Sequence, residues 1–219
     1  GVALSLWAQG RVNSTFSRYS RVRSMTGMTG AEAARRLLNA QGIYDVTVQQ
    51  IAGELTDHYD PRTKTVNLSQ SVYGATSVAA IGVAAHECGH AMQDNEGYAP
   101  LRFRSALVPV ANFGSSLSWP LILLGLVFGG LGSPLVEIGI LMFSLAVLFQ
   151  LVTLPVEYNA SARAVRLLDA QGILAGEEVN GTRKVLNAAA LTYVAAAATS
   201  ILQLLRLIIL FGGRNRRDR

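Results

Sequence analysis

Charged residues are scarce in this chain of 219. Asp, Glu, Lys and Arg together make up 15% of it, well under the roughly 25% of soluble globular proteins. Half of the residues are hydrophobic and the mean hydropathy is +0.31, so part of the chain belongs in lipid and an entirely soluble domain is excluded. The length leaves room for one ordinary domain and a few membrane spans, but not for a second large domain. Cysteine is limited to Cys88. That rules out an intrachain disulfide framework, is compatible with a reducing compartment, and makes Cys88 by default a small buried residue. Acids are outnumbered, 14 against 19 Lys and Arg. The cations nevertheless lie beside apolar segments without interleaved aromatics, which excludes a nucleic-acid surface and reads as a membrane-topology signal. The apolar start, residues 1–8, lacks the basic region and cleavage site of a signal peptide. Being too short to cross a bilayer, it is expected to be the end of a truncated N-terminal transmembrane helix or an anchor.

What is present gives an order of segments. Across residues 9–24, Arg11, Arg18, Arg21 and Arg23 occur without an acid, while Val12, Phe16, Tyr19 and Val22 recur at helical spacing. This predicts a juxtamembrane amphipathic helix. Thr29 and Glu32 form a capping box for a helix over residues 30–41, which Gly42 ends. Residues 44–48 and 64–68 are rich in β-branched side chains, with the turn signal Asp57-His58-Tyr59-Asp60-Pro61 between them, which predicts a small antiparallel sheet. Thr76 or Ser77 can cap the next helix, whose small residues 78–85 run into His86 and on to Gln93. After Arg102-Phe103-Arg104, apolar stretches at 115–131 and 135–154 flank Gly132-Ser133-Pro134 and predict a transmembrane hairpin. Residues 156–187 are polar and helix-forming, and 188–211 are apolar. The octapeptide at 36–43 recurs at 166–173 with one change, Asn39 against Asp169, which is expected of two helices sharing one C-terminal cap.

The chemistry lies in His86-Glu87-Cys88-Gly89-His90. On a helix, positions i and i+4 share a face, so His86 and His90 can reach one metal ion, with Glu87 flanking it as general base toward a metal-activated water. Two of the chain's three histidines lie in this motif, on a helix predicted from its surroundings, which is the context the motif requires. A catalytic zinc takes three protein ligands and keeps one open position. His58 is the remaining histidine, in a turn where a satisfied surface role is the ordinary one. Among later acids Glu157 is distinctive, following the second apolar stretch where a new helix is expected to begin after Pro155.

The motif at 86–93, the segment 57–62, the stretch 107–112 and Leu154-Pro155-Val156-Glu157-Tyr158-Asn159-Ala160-Ser161 together resemble the YugP-like family of bacterial membrane zinc metallopeptidases, over nearly the whole chain. The resemblance implies a gluzincin-type peptidase similar in plan to HtpX-type enzymes, with one Zn2+, with His86, His90 and Glu157 as its ligands and with Glu87 as the base. The broader HtpX-type pattern has an aspartate four residues after the glutamate ligand, where this chain has Ser161, so Asn159 or another acid is a substitute candidate for orienting a ligand histidine. Tyr193 and His58 are candidate oxyanion donors.

The expected architecture is a predominantly α membrane protein with an α+β zincin-like catalytic domain and a small sheet, interrupted by a transmembrane helical hairpin. The anchor is expected over residues 1–8 and the opening half of the catalytic domain, with the histidine motif, over 9–104. The hairpin (105–155) separates it from the closing half (156–187), and an apolar C-terminal helix (188–213) and a basic tail (214–219) follow. The expected partners are a polypeptide substrate and the lipid bilayer, with the active site on the cytoplasmic face of a bacterial cell membrane because Arg and Lys flank the hairpin on both sides. A full crossing of 188–211 would export the basic tail, so residues 188–200 are expected to pack on the catalytic domain without a clean span. Two rival classes are a non-catalytic membrane scaffold with a structural metal site and a transporter, the latter disfavoured by sparse intramembrane charge.

Overall fold

The computed structural model describes residues 1–130 and 133–211, so Gly132 of the expected hairpin turn and the basic tail lie outside the described residues. In chain order the elements are α1 (Val2–Ser20), α2 (Gly30–Ala40), β1 (Thr47–Ile51), β2 (His58–Asp60), β3 (Thr65–Ser69), α3 (Gln70–Tyr73), α4 (Val78–Asn95), α5 (Ala99–Gly129), α6 (Pro134–Ala170) and α7 (Glu177–Phe211). The fold is predominantly α with one small sheet.

Local chemistry explains several helix ends. Thr29 and Glu32 close the expected capping box, with the Thr29 side chain accepting from Glu32 N–H and the Glu32 carboxylate from Thr29 N–H. Ser77 rather than Thr76 caps α4, accepting from Ala80 N–H. The recurring octapeptide is two copies of one helix stop. Gly42 and Gly172 both take positive φ, Ile43 N–H bonds to Leu38 O and Ile173 N–H to Leu168 O, each at 3.0 Å. The left-handed position favours glycine because it has no Cβ to clash.

The sheet departs from expectation. Its order is β1-β3-β2, with β1 parallel to β3 in the register Thr47↔Thr65 and β2 antiparallel to β3 in the register Tyr59↔Val66. The antiparallel partner of β3 lies inside the expected turn. The connection 52–64 is long enough for the chain to return parallel to β1, and it contributes β2 on the way. Asp94 at the end of α4 pins the β2–β3 hairpin, accepting from Tyr59 O–H at 2.8 Å and from Lys64 Nζ at 2.9 Å.

Helix α4 is the centre of the core, buried along most of its length between α2, α6, α7 and the sheet. Its thiol Cys88 is fully buried, and burial pushes its pKa up, so it packs as the small residue expected. Helices α5, α6 and α7 are each long and apolar enough to cross a membrane. Their large side chains, among them Phe113, Trp119, Leu141, Leu202 and Ile209, are exposed, which suits a lipid-facing surface. The helix expected to start after Pro155 does not start there. Helix α6 runs unbroken through Pro155, because a mid-helix proline removes one hydrogen bond and bends the helix without having to end it.

Helix α1 is one helix spanning the expected anchor and amphipathic segment. It runs antiparallel along α7, with Gly1 against Thr199 and Tyr19 against Gly181. The small residues Ala188, Ala190, Ala195 and Ala197 of α7 are buried as expected. Against the expectation that this stretch makes no clean span, α7 as a whole (Glu177–Phe211) is long and apolar enough to be a candidate span.

Candidate metal centre

Two helices supply the centre. Helix α4 carries His86, Glu87 and His90, and α6 carries Glu157 at the point where its apolar stretch ends. The helices meet backbone to backbone one turn away, since a Cβ on Gly89 would lie 2.6 Å from the carbonyl oxygen of Ala160. This contact lets ligands from two helices converge.

Among the described residues His86, His90 and Glu157 are the group whose donor atoms can hold a metal, all lying within 4.8 Å of one another. His86 Nε2 is 3.2 Å from Glu157 Oε2 and His90 Nε2 is 3.5 Å from the same oxygen. Ligands at about 2.0–2.1 Å from a tetrahedral zinc are separated by roughly 3.4 Å, so both edges fit. The remaining ring nitrogens are engaged from behind. Ser161 Oγ lies 3.0 Å from His86 Nδ1, and Gln93 Oε1 lies 3.0 Å from His90 Nδ1. Both imidazoles thus turn Nε2 toward the centre, as metal-binding histidines do. Ser161 itself occupies the place where the broader pattern has aspartate.

Glu157 is 2% exposed, and its other oxygen, Oε1, is 3.6 Å from Arg104 Nη1. Glu87, also buried, accepts from the backbone N–H of Tyr59 on β2 at 3.0 Å. The His90 pKa is raised. Burial pushes it down, but the hydrogen bond to Glu157 and the charges of Glu87 and Glu157 outweigh that. Asp57 is raised by burial, with the nearby Glu87 adding to the effect, although Ser69 donates to it from N–H and O–H.

His58 is not part of the group. Its Nδ1 faces Thr56 O at 2.9 Å and its Nε2 receives a hydrogen bond from Asn67 Nδ2 at 3.2 Å, so both ring nitrogens are satisfied at an exposed position. Tyr193 of α7 and His58 both line the cleft, which measures about 560 Å³ on the side of β2 and α5, where Arg102, Arg104 and Leu101 contribute. A smaller apolar recess of about 240 Å³ opens on the other side, between α1 and α7, walled by Phe16, Val83, Val185 and Leu186. Glu87, His86, Glu157 and Tyr193 line both. Sequence reasoning missed Gln93, Arg104 and the Tyr59 N–H. Only Gln93 carried a signal, one helical turn from His90 on the same face.

The chain matches the family model described as "Putative neutral zinc metallopeptidase" over residues 1–212. It is 50% identical over 210 residues to "Putative membrane protease YugP" of Bacillus subtilis (strain 168), which covers 96% of this chain and 92% of that protein. No solved structure matches it. With the family model covering nearly the whole chain and a relative sharing half of the aligned residues, the chain belongs to the family so described.

Proposed function

We propose that the protein is a membrane-bound, zinc-dependent endopeptidase that hydrolyses peptide bonds of membrane-associated or membrane-proximal proteins on the cytoplasmic face of a bacterial membrane. The observation that carries this reading is the convergence of three donors suited to zinc, His86 Nε2, His90 Nε2 and Glu157 Oε2, beside a buried carboxylate that is not one of them, Glu87. The three donors would hold the ion. Zinc bound there supplies Lewis acidity, which brings the pKa of a water from 15.7 towards about 7. Glu87 takes the proton from the attacking water and passes it to the leaving amine nitrogen as the peptide C–N bond breaks. Tyr59 N–H holds one Glu87 oxygen, leaving the other for that transfer. Tyr193, which lines the cleft with Glu157, is the remaining candidate to donate to the developing oxyanion. Arg and Lys on both flanks of the hairpin, including Arg18, Arg21, Arg163 and Arg183, favour a cytoplasmic site.

A scaffold with a structural metal fits less well, because structural zinc sites are closed by four protein ligands and have no use for a flanking base. The deciding experiment replaces Glu87 by Gln, which keeps size and hydrogen bonding but removes the base. Hydrolysis of an unfolded protein substrate is expected to collapse while about one zinc per chain remains. Turnover at the parental rate in Glu87→Gln would sink the proposed mechanism whatever the metal content.

A further inference from the structure

We propose that Gln93, Asn159 and Arg163 form a one-way hydrogen-bond relay that fixes the tautomer of His90 and thereby sets the metal affinity of the site. The inference rests on the reading of His86, His90 and Glu157 as metal ligands and adds three positioning residues to it.

The direction follows from donor and acceptor chemistry. A guanidinium has only donors. Arg163 is anchored by Glu96, Nη1 to Oε1 at 2.6 Å, and aims Nε at Asn159 from 2.7 Å. The Asn159 atom facing it is therefore the carbonyl oxygen. That oxygen also faces one end of the Gln93 amide at 2.9 Å, and the backbone carbonyl of Val156 faces the same end at 2.9 Å. Two acceptors require that end to be the nitrogen, and both of its hydrogens are then used. Gln93 is left with Oε1 toward His90 Nδ1 at 3.0 Å. An oxygen that only accepts requires a hydrogen on Nδ1, so neutral His90 turns the lone pair of Nε2 toward Glu157. That is the form a metal ligand needs. The other tautomer would put an N–H where the ion belongs and set two lone pairs against each other at Gln93. Gln93 is fully buried, so water cannot readily replace the missing hydrogen bond. The relay crosses from α6 to α4, and Arg163 acts on His90 without touching it.

The main readout is zinc affinity of the full chain in detergent, measured by competition with a chelator. Asn159→Leu breaks the relay and is expected to weaken zinc binding about 10- to 100-fold. Asn159→Asp, which can still only accept from Gln93 and Arg163, is expected to recover most of that loss. His90→Ala is the control for the ligand reading and must abolish tight binding. If it does not, the assignment of the ligands fails. If His90→Ala abolishes binding while Asn159→Leu binds zinc like the parent, or if Asn159→Asp is as weak as Asn159→Leu, the relay is wrong and the ligand assignment stands. Should Asn159→Leu not fold, nitrogen-15 labelling of the three histidines in the zinc-loaded parent decides the matter. A proton on His90 Nδ1 with zinc on Nε2 is expected, and the reverse arrangement overturns the relay.

Discussion

Glu87 and Glu157 are both buried carboxylates on helices, and their neighbours separate them. Glu157 faces two imidazole nitrogens and Arg104, whereas Glu87 takes a backbone N–H. Replacing Glu157 by Ala is therefore expected to lower zinc content and hydrolysis together, as read by metal analysis after mild chelation alongside a turnover assay. Zinc held as firmly as in the parent would move the third ligand elsewhere. His58, the first alternative in the sequence, enters that role only by giving up at least one of its two hydrogen bonds. At this scale the motif was legible because helical spacing alone brings His86 and His90 to one face. Glu157 was visible only through its position and the family resemblance, since local spacing says nothing about a residue on another helix. Of the relay behind His90, Asn159 was visible as a candidate to orient a ligand histidine and Gln93 by its place one turn from His90, but their connection was not. Its direction depends on Arg163 and Asn159 arriving from that second helix.

Between elements, the tightest constraint on the centre is the backbone contact of Gly89 with Ala160. A methyl group there meets a carbonyl oxygen rather than a flexible side chain, so α4 and α6 must move apart. Gly89→Ala is expected to cost about 1–3 kcal/mol as an overpacking substitution and to weaken zinc binding, because the ligands ride on the two displaced helices. Thermal unfolding and a zinc titration check it, and a variant with both properties unchanged would show that the contact does not hold the ligands together. Elements with strong end signals, α2 and α4, were legible from Thr29, Glu32, Gly42 and Ser77. The sheet was read less well, because β2 is only three residues long and coincides with an Asp-Pro turn signal. Pro155 misled in the opposite direction, since one lost hydrogen bond does not end a helix whose neighbours hold it in place.

For the whole molecule, α5 and α6 as paired candidate spans would return the chain to the side from which it left, with both halves of the metal centre at one membrane face. Labelling of introduced cysteines from outside intact cells is expected to reach Ser133→Cys and to miss Asn67→Cys; the reverse pattern would invert the proposed orientation. Native Cys88 gives little background, being fully buried. The apolar composition made the hairpin legible, but the alignment of α1 along α7 depends on contacts that no single segment announces. The unbroken course of α6 makes that helix a lever. At 1.5 Å per residue Glu157 stands ~35 Å from Pro134, so a tilt of about 5° about the far end of the helix sweeps Glu157 through ~3 Å. That displacement is comparable to the 3.2 Å separating it from His86. Where such a helix crosses a bilayer, hydrophobic mismatch is accommodated in part by tilt, and a tilt of α6 would be felt at the metal centre.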